Sequence, residues 1–351
     1  MPTFARTVLA PITVEVSAGA LKRLPELLVD SRISSGGRVA IVLGPGLGET
    51  ITAELDHLPD ATIHTIKPGT LASARELANR LRDDPRVDAL VAIGGGKLLD
   101  TAKFAATDLG LPMVAVATSL AHDGLASPTA SLMREGVSVS YGVHPPLAVL
   151  ADLDFIRRAP AGQLRSGIGD ALTNLSAVAD WELSHQVTGE AIDGLAVAIA
   201  RTGAEAVLRH PGTIADDGFL TSLANALVQG GLAMGMAGSS RPCSGGCHEI
   251  VHALELLHPG LASHGYQGAV GALVCTWLRG DEPLFRELSA ALKRHGLPRT
   301  AADLGLTTAE LATAVAYAPR TRPGRYTILE HRELDSVALG RHLTEMMHEL
   351  D

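Results

Sequence analysis

The chain has 351 residues, enough for two domains, and at 46% hydrophobic and 19% charged it can bury large cores and shows no sign of disorder. Its 29 Lys and Arg stand against 38 Asp and Glu, a formal charge of −9 with no basic run, which argues against a nucleic-acid partner. The start MPTFARTVLAPITVEV lacks a signal-peptide pattern, the most apolar windows such as 89–96 are too short to span a bilayer, and Cys243, Cys247 and Cys275 make no disulfide framework, so a cytoplasmic protein without a membrane span is expected.

Along the first half, strand and helix patterns alternate. Arg38–Leu43 (RVAIVL) reads as a buried strand ending at Gly44-Pro45-Gly46, and a helix is predicted over 47–58. A strand over 61–66 ends at Lys67-Pro68-Gly69, and apolar residues at helical spacing mark 71–82. A third strand, 89–93, is broken by Gly94-Gly95-Gly96; a helix over 97–108 and a strand over 113–117 follow. Short apolar runs joined by helices of this length indicate parallel βαβ units. Residues 137–151 read as extra β structure, a hairpin near the sheet edge. After Ala159-Pro160 the pattern becomes Ala- and Leu-rich and helical to the end. The expected fold is therefore α/β: an N-terminal doubly wound, Rossmann-like parallel sheet over 1–159, then an all-α domain over 160–351.

Two stretches of the first half carry chemistry. Gly94-Gly95-Gly96-Lys97 follows a buried strand and opens a helix, with Asp100 one turn in. Glycines there let backbone N–H groups approach a phosphate, and the helix N-terminus adds partial positive charge. The pattern is neither a Walker A loop nor G-x-G-x-x-G. The next strand ends at Thr118-Ser119, before His122-Asp123-Gly124 and Ser127-Pro128-Thr129. Polar residues at the carboxyl end of a parallel strand stand where open α/β sheets bind ligands, although turn capping uses the same residue types.

In the second half His248-Glu249-Ile250-Val251-His252 matches H-E-x-x-H, and His258 falls at the third ligand position of the longer zinc-protease pattern. That pattern needs Gly where this chain has Glu255. On a continuous helix His252 and His258 are also separated by about 240°. Another trio suits a metal better: Asp170 after Ser166-Gly167-Ile168-Gly169, His248, and His264 in Ser263-His264-Gly265-Tyr266-Gln267. One carboxylate and two imidazoles suit Zn²⁺, with Ni²⁺ and Fe²⁺ as alternatives, and leave a position open for substrate. His252 reads as a supporting or packing residue, and Cys243 and Cys247 are alternative soft ligands that also suit small buried positions.

These segments carry a family resemblance. VAIGGGKLLDTAKFAA (91–106) resembles the cofactor turn of the iron-containing alcohol dehydrogenase superfamily, and VATSLAHDGLASPTASL (116–132) resembles the T-x-x-x-H-D-G-x-A-S segment of sn-glycerol-1-phosphate dehydrogenases. GIGDALTNLSAVADWELS (167–184), SRPCSGGCHEIVHALE (240–255) and SHGYQGAVGALV (263–274) resemble that family's three metal segments. The resemblance implies an NAD(P)-binding sheet domain and a helical metal domain with the active site between them. It implies metal ligation by Asp170, His248 and His264, and pyrophosphate binding at Gly95, Gly96 and Lys97. Asp100, Thr118, Ser119 and Ser127 would lie near the cofactor, and Asp123 near substrate and metal.

The implied reaction is metal-dependent reduction of dihydroxyacetone phosphate, or a related hydroxyketone or sugar phosphate, by NADH or NADPH. Asp123 and His252 are the candidate proton carriers. The expected partner is a small phosphorylated or polyhydroxylated substrate, and a homo-oligomer is expected. Two positions depart from the family pattern: Cys247 stands where a Glu usually precedes the first metal His, and Tyr266 where Glu often follows His-Gly. The alternative reading is a sugar-phosphate cyclase resembling dehydroquinate synthase, which shares fold, metal and NAD but needs several basic residues for its substrate.

Overall fold

The computed structural model describes residues 8–46, 51, 55, 58 and 60–350. The chain divides into two compact units, one of Met1–Leu120 with Gly124–Ala159, the other of Ala121–Asp123 with Pro160–Asp351.

The first unit is built on six parallel strands: β1 (Thr13–Ser17), β2 (Arg38–Leu43), β3 (Ala61–Thr65), β4 (Val87–Gly94), β5 (Met113–Ala117) and β8 (Ala148–Asp152), in the order β1-β8-β5-β4-β2-β3. The chain steps outward from β2 to β3, then returns to the other flank of β2 as β4. The order thus reverses between β2 and β4, and an open α/β sheet binds ligands at the carboxyl ends of the strands at such a reversal. The carboxyl end of β4 is Gly94, the first glycine of the predicted turn. Central strands β4, β5 and β8 are buried on both faces, which is why they read as unbroken apolar runs. The helices Leu71–Arg82 and Gly96–Leu109 lie within a residue of their predicted limits, and the first begins with a capping box between Thr70 and Ser73. The helix predicted over 47–58 falls mostly outside the described residues; Ile51 and Leu55 are helical.

The expectation for 137–151 needs correction. β7 (Val137–Gly142) pairs antiparallel with β6 (Thr129–Arg134) in a separate two-stranded sheet, while the rest of the stretch supplies β8, which lies between β1 and β5. The hairpin turns through Glu135 and Gly136 at φ 54° and 83°; two successive positive φ values suit the right-handed twist of a tight hairpin. β1, in a stretch to which the sequence assigned no element, forms an edge of the main sheet.

Every regular element described in the second unit is helical, and the longest is Ala161–Thr188 at 28 residues. Its packing relies on glycine. A Cβ added to Gly265 would lie 1.8 Å from the Ser166 carbonyl oxygen, and one on Gly169 would lie 2.0 Å from the Gly265 carbonyl oxygen. A Cβ on Gly271 would lie 2.7 Å from the Cys247 carbonyl oxygen. Backbone therefore meets backbone where His264–Arg279 crosses Ala161–Thr188 and Gly246–Leu257. Among the described residues one helix, Asp217–Ala237, is long and apolar enough to cross a membrane by length and composition. The apolar-window reading passed it over, and its Phe219, Leu220, Leu223 and Leu227 are buried within the unit.

Candidate metal centre and cofactor turn

The glycine contacts bring the three metal candidates together. Asp170 is on the third turn of its long helix, His248 near the start of Gly246–Leu257, and His264 at the first position of its own helix. Asp170 Oδ1 is 3.7 Å from His248 Nε2 and 3.9 Å from His264 Nε2, and one ligand atom from each of the three lies within 4.8 Å of the others. A tetrahedral ion with N and O ligands at about 2.0–2.2 Å sets them roughly 3.3–3.6 Å apart, so a few tenths of an ångström of closure suffices for the two Asp170 pairs and at most about 1.5 Å between the imidazoles.

The surroundings orient two of the three candidates. The Asp123 backbone N–H donates to Asp170 Oδ2 at 2.8 Å, and His264 Nδ1 is 3.2 Å from Glu255 Oε1. A carboxylate behind a ligating imidazole fixes the ring and raises its basicity. Burial opposes the charge on Asp170, but the hydrogen bond and charge of His248 with the charge of His264 outweigh it and hold its carboxyl below the usual range. Burial also opposes charge on both imidazoles. It prevails at His248, which is pushed down, whereas Glu255 and Asp170 prevail at His264 and raise it. The donor set, a charged carboxylate beside two imidazoles, is of a kind that could hold a divalent cation.

His252 and His258 lie outside the trio. His252 Nε2 accepts from Arg322 Nη2 at 3.0 Å, and burial, then the Arg322 charge, push this imidazole down to about 3. His258 caps the end of its helix with φ −133°. Glu249, the acid of the H-E-x-x-H match, is fully buried and accepts from Thr327 Oγ1 at 3.1 Å; burial and Glu330 push its carboxyl up to about 8. This removes the zinc-protease arrangement. Cys243, Cys247 and Cys275 are buried free thiols, and burial pushes Cys247 up to about 12, so none is poised as a thiolate ligand. Tyr266, the second departure, has its hydroxyl 3.9 Å from where a Cβ on Gly162 would stand.

In the first unit, Gly95 is the N-cap of Gly96–Leu109 and no side chain caps it. A Cβ on Gly94 would strike Leu98 at 2.4 Å, and one on Gly95 would lie 2.9 Å from Ser119 Oγ. That hydroxyl is buried without a hydrogen-bond partner, an orphan aimed at an uncapped helix N-terminus, which suits a phosphate group. Thr118 is tied by its N–H to the Gly94 carbonyl at 3.1 Å, and Lys97 is exposed beside Gly69. Asp100 does different work: Oδ1 pairs with Lys103 Nζ at 2.9 Å and Oδ2 accepts from Ser131 N at 3.0 Å, which pins the β6–β7 hairpin to the helix. Lys103 also donates to the Gly124 carbonyl and to Ser127 Oγ, so Ser127 belongs to this buried polar cluster.

Sequence reasoning missed Glu255 as a partner of His264, and Arg322 and Arg325. Their signal was legible: RTRPGR (320–325) is a local basic cluster in an acidic chain.

A parallel sheet unit with a glycine turn at its reversal point, and a helical unit with an Asp/His/His centre, define a class of metal-dependent dehydrogenase. The model of the iron-containing alcohol dehydrogenase family matches residues 15–160. A solved structure described as a probable glycerol dehydrogenase from Sinorhizobium meliloti 1021 shares the fold, with TM-score 0.78 at 22% identity over 99% of both chains. Glycerol dehydrogenase from Schizosaccharomyces pombe gives TM-score 0.79 at 22% identity, over 99% of this chain and 92% of that one. Glycerol-1-phosphate dehydrogenase (NAD(P)+) of Staphylothermus marinus is 34% identical over 95% of this chain and 96% of its own, and that of Pyrococcus furiosus 35% over 89% and 91%. The chain belongs to the glycerol-1-phosphate dehydrogenase family, and is an oxidoreductase.

Proposed function

We propose that this enzyme reversibly reduces dihydroxyacetone phosphate to sn-glycerol 1-phosphate with NADH or NADPH, the activity in the names of its 33–35% identical relatives. The observation that carries the reading is the convergence of Asp170, His248 and His264 within 4.8 Å in a chain of this family. When bound, a divalent ion (Zn²⁺, with Ni²⁺ and Fe²⁺ as alternatives) supplies Lewis-acid polarisation of a carbonyl, and the nicotinamide supplies hydride.

The chain's own residues do the rest. Asp170 contributes the neutralising charge, and Glu255 holds His264 so that Nε2 faces Asp170. Asp123, whose N–H steadies Asp170, carries the proton to and from the substrate oxygen through its carboxylate. His252, its Nε2 taken by Arg322, serves the site through that contact. Gly95, Gly96 and Lys97 receive the cofactor pyrophosphate, Ser119 Oγ donates to it, and Thr118 shapes the adjoining strand end. Asp100 and Ser127 act through Lys103, holding the hairpin beside the turn.

The test is oxidation of NADH and NADPH by the metal-loaded enzyme with dihydroxyacetone phosphate, followed by chiral analysis of the glycerol phosphate. Formation of the sn-1 product is expected. No oxidation of either cofactor across a panel of phosphorylated hydroxyketones overturns the proposal.

A further inference from the structure

Arg322 and Arg325 lie in the segment after the short helix Ala318–Thr321, where Gly324 turns the chain at φ 85°. Both guanidiniums are half-buried and both point donors at one hydroxyl: Arg322 Nη1 reaches Ser240 Oγ at 3.5 Å and Arg325 Nη2 at 3.0 Å. Arg325 also donates to the Ser244 carbonyl, and Arg322 to His252 Nε2 at 3.0 Å. Nearby Arg241 is ion-paired with Glu190, but among the described residues neither Arg322 nor Arg325 has a carboxylate within ion-pair distance. Two adjacent guanidiniums sharing a neutral hydroxyl, partly withdrawn from water, are a costly arrangement in the absence of an anion. The cost registers on Arg325, which burial first, then Arg322 and Arg241, push down to about 10.

The cluster lies next to the candidate metal centre by way of His252 and Glu255. Arg322 holds His252, His252 Nδ1 is 3.9 Å from Glu255, and Glu255 holds His264. His252 also follows His248 by four residues on one helix, so the two share a face one turn apart, about 5 Å along the axis. A three-carbon hydroxyketone phosphate held by its carbonyl at the metal carries its phosphate about that far.

We propose that Arg322, with Arg325 and Ser240, is the phosphate subsite for the substrate. Arg322 supplies the planar fork that grips two phosphate oxygens, Arg325 the second charge, and Ser240 a hydroxyl donor once an anion draws the guanidiniums off it. The proposal rests on the functional reading above and deepens it, because it explains selection of a phosphorylated over a neutral triose.

The experiment uses the metal-loaded enzyme, its Arg322→Gln and Arg322→Lys variants, and two readouts. The first is kcat and KM for dihydroxyacetone phosphate and for dihydroxyacetone. Arg322→Gln is expected to raise KM for the phosphate ester at least tenfold more than KM for the neutral ketone, with Arg322→Lys between it and the parent. The second is stabilisation of the fold by inorganic phosphate, expected in the parent and lost in Arg322→Gln. Equal effects on both ketones, or phosphate stabilisation unchanged in a folded Arg322→Gln protein, overturns the subsite. Arg322-dependent phosphate binding in a parent that turns over neither ketone keeps the anion site and removes the functional reading instead.

Discussion

Gly265→Ala tests whether the metal centre is set by backbone contact. The new Cβ would stand 1.8 Å from the Ser166 carbonyl oxygen, on a helix whose Gly169 would place its own Cβ 2.0 Å from the Gly265 carbonyl. Ordinary carbon–oxygen contact is about 3.3 Å or more, so the helices must part by more than about 1 Å. Both atoms in the clash are main chain, and no rotamer relieves it. Overpacking in a close-packed interior costs about 1–3 kcal/mol and more where backbone must move, so about 3 kcal/mol or above is expected here. For a unit of this size that lowers Tm by roughly 6–12 °C. Since His264 precedes Gly265, the displacement also pulls Nε2 from Asp170 Oδ1, now 3.9 Å away, and metal affinity falls with stability. Gly340→Ala is the control: nothing lies within 4 Å of its added Cβ, it lies inside Ser336–His348, and the change should stabilise by about 0.5–1 kcal/mol. Thermal melts with and without Zn²⁺, and metal content after gel filtration, read both effects. A Gly265→Ala protein that melts with the parent and keeps its metal would refute the reasoning.

Asp170→Ala and His264→Ala should each lose bound metal while His258→Ala keeps it, measured as metal per chain; retention in His264→Ala with loss in His258→Ala reverses the ligand assignment. Lys103→Met leaves Asp100 charged and buried without its 2.9 Å partner, and should cost about 3–5 kcal/mol in urea unfolding; a loss under about 1 kcal/mol contradicts it. His295 is stacked on Phe219 at 4.7 Å, and burial first, then Arg294, His210 and Arg165, push it down to about 4. The unfolded chain takes up a proton below about pH 6.5 that the folded one refuses, so stability falls as pH drops from about 6.5 and levels near 4. At about 1.4 kcal/mol per pH unit the loss reaches roughly 3 kcal/mol at most. His295→Phe should flatten that part of the stability–pH curve, and an unchanged slope assigns it elsewhere.

The sheet was legible where strands are buried on both faces, because RVAIVL and MVAVA have no other use for such runs. It was not legible at β1, whose TVEVS is half-buried and, among the described residues, pairs with β8 alone. The 137–151 stretch misled because β7 is exposed and alternating while β8 is fully buried, and one label covered two strands of opposite roles. The convergence of Asp170, His248 and His264 was legible because each is marked by glycines that sequence displays: Gly169 before Asp170, Gly245-Gly246 before His248, Gly265 after His264. The contacts around it were not, although RTRPGR displays the arginines themselves. Arg322 meets His252 across 70 positions, and nothing in either segment announces the pairing.

Those flanking glycines also explain a composition that looked merely bland. With only 3% aromatic residues, the helical unit has few large side chains to interdigitate. It gains cohesion by bringing backbones together, and Gly169, Gly265 and Gly271 each occupy a place where a Cβ would overlap a neighbouring main-chain atom below 3 Å. Side-chain packing tolerates substitutions that conserve volume, whereas backbone contact tolerates none larger than hydrogen. The candidate metal centre therefore inherits their rigidity: the crossing of three helices holds one ligand atom each of Asp170, His248 and His264 within 4.8 Å of the others. The same crossing fixes the register of Gly246–Leu257, so His248 faces Asp170 while His252, one turn on, faces Arg322. One helix face thus carries both His248 toward Asp170 and His252 toward Arg322, and on the function proposed above a shift of that helix should disturb carbonyl and phosphate recognition together.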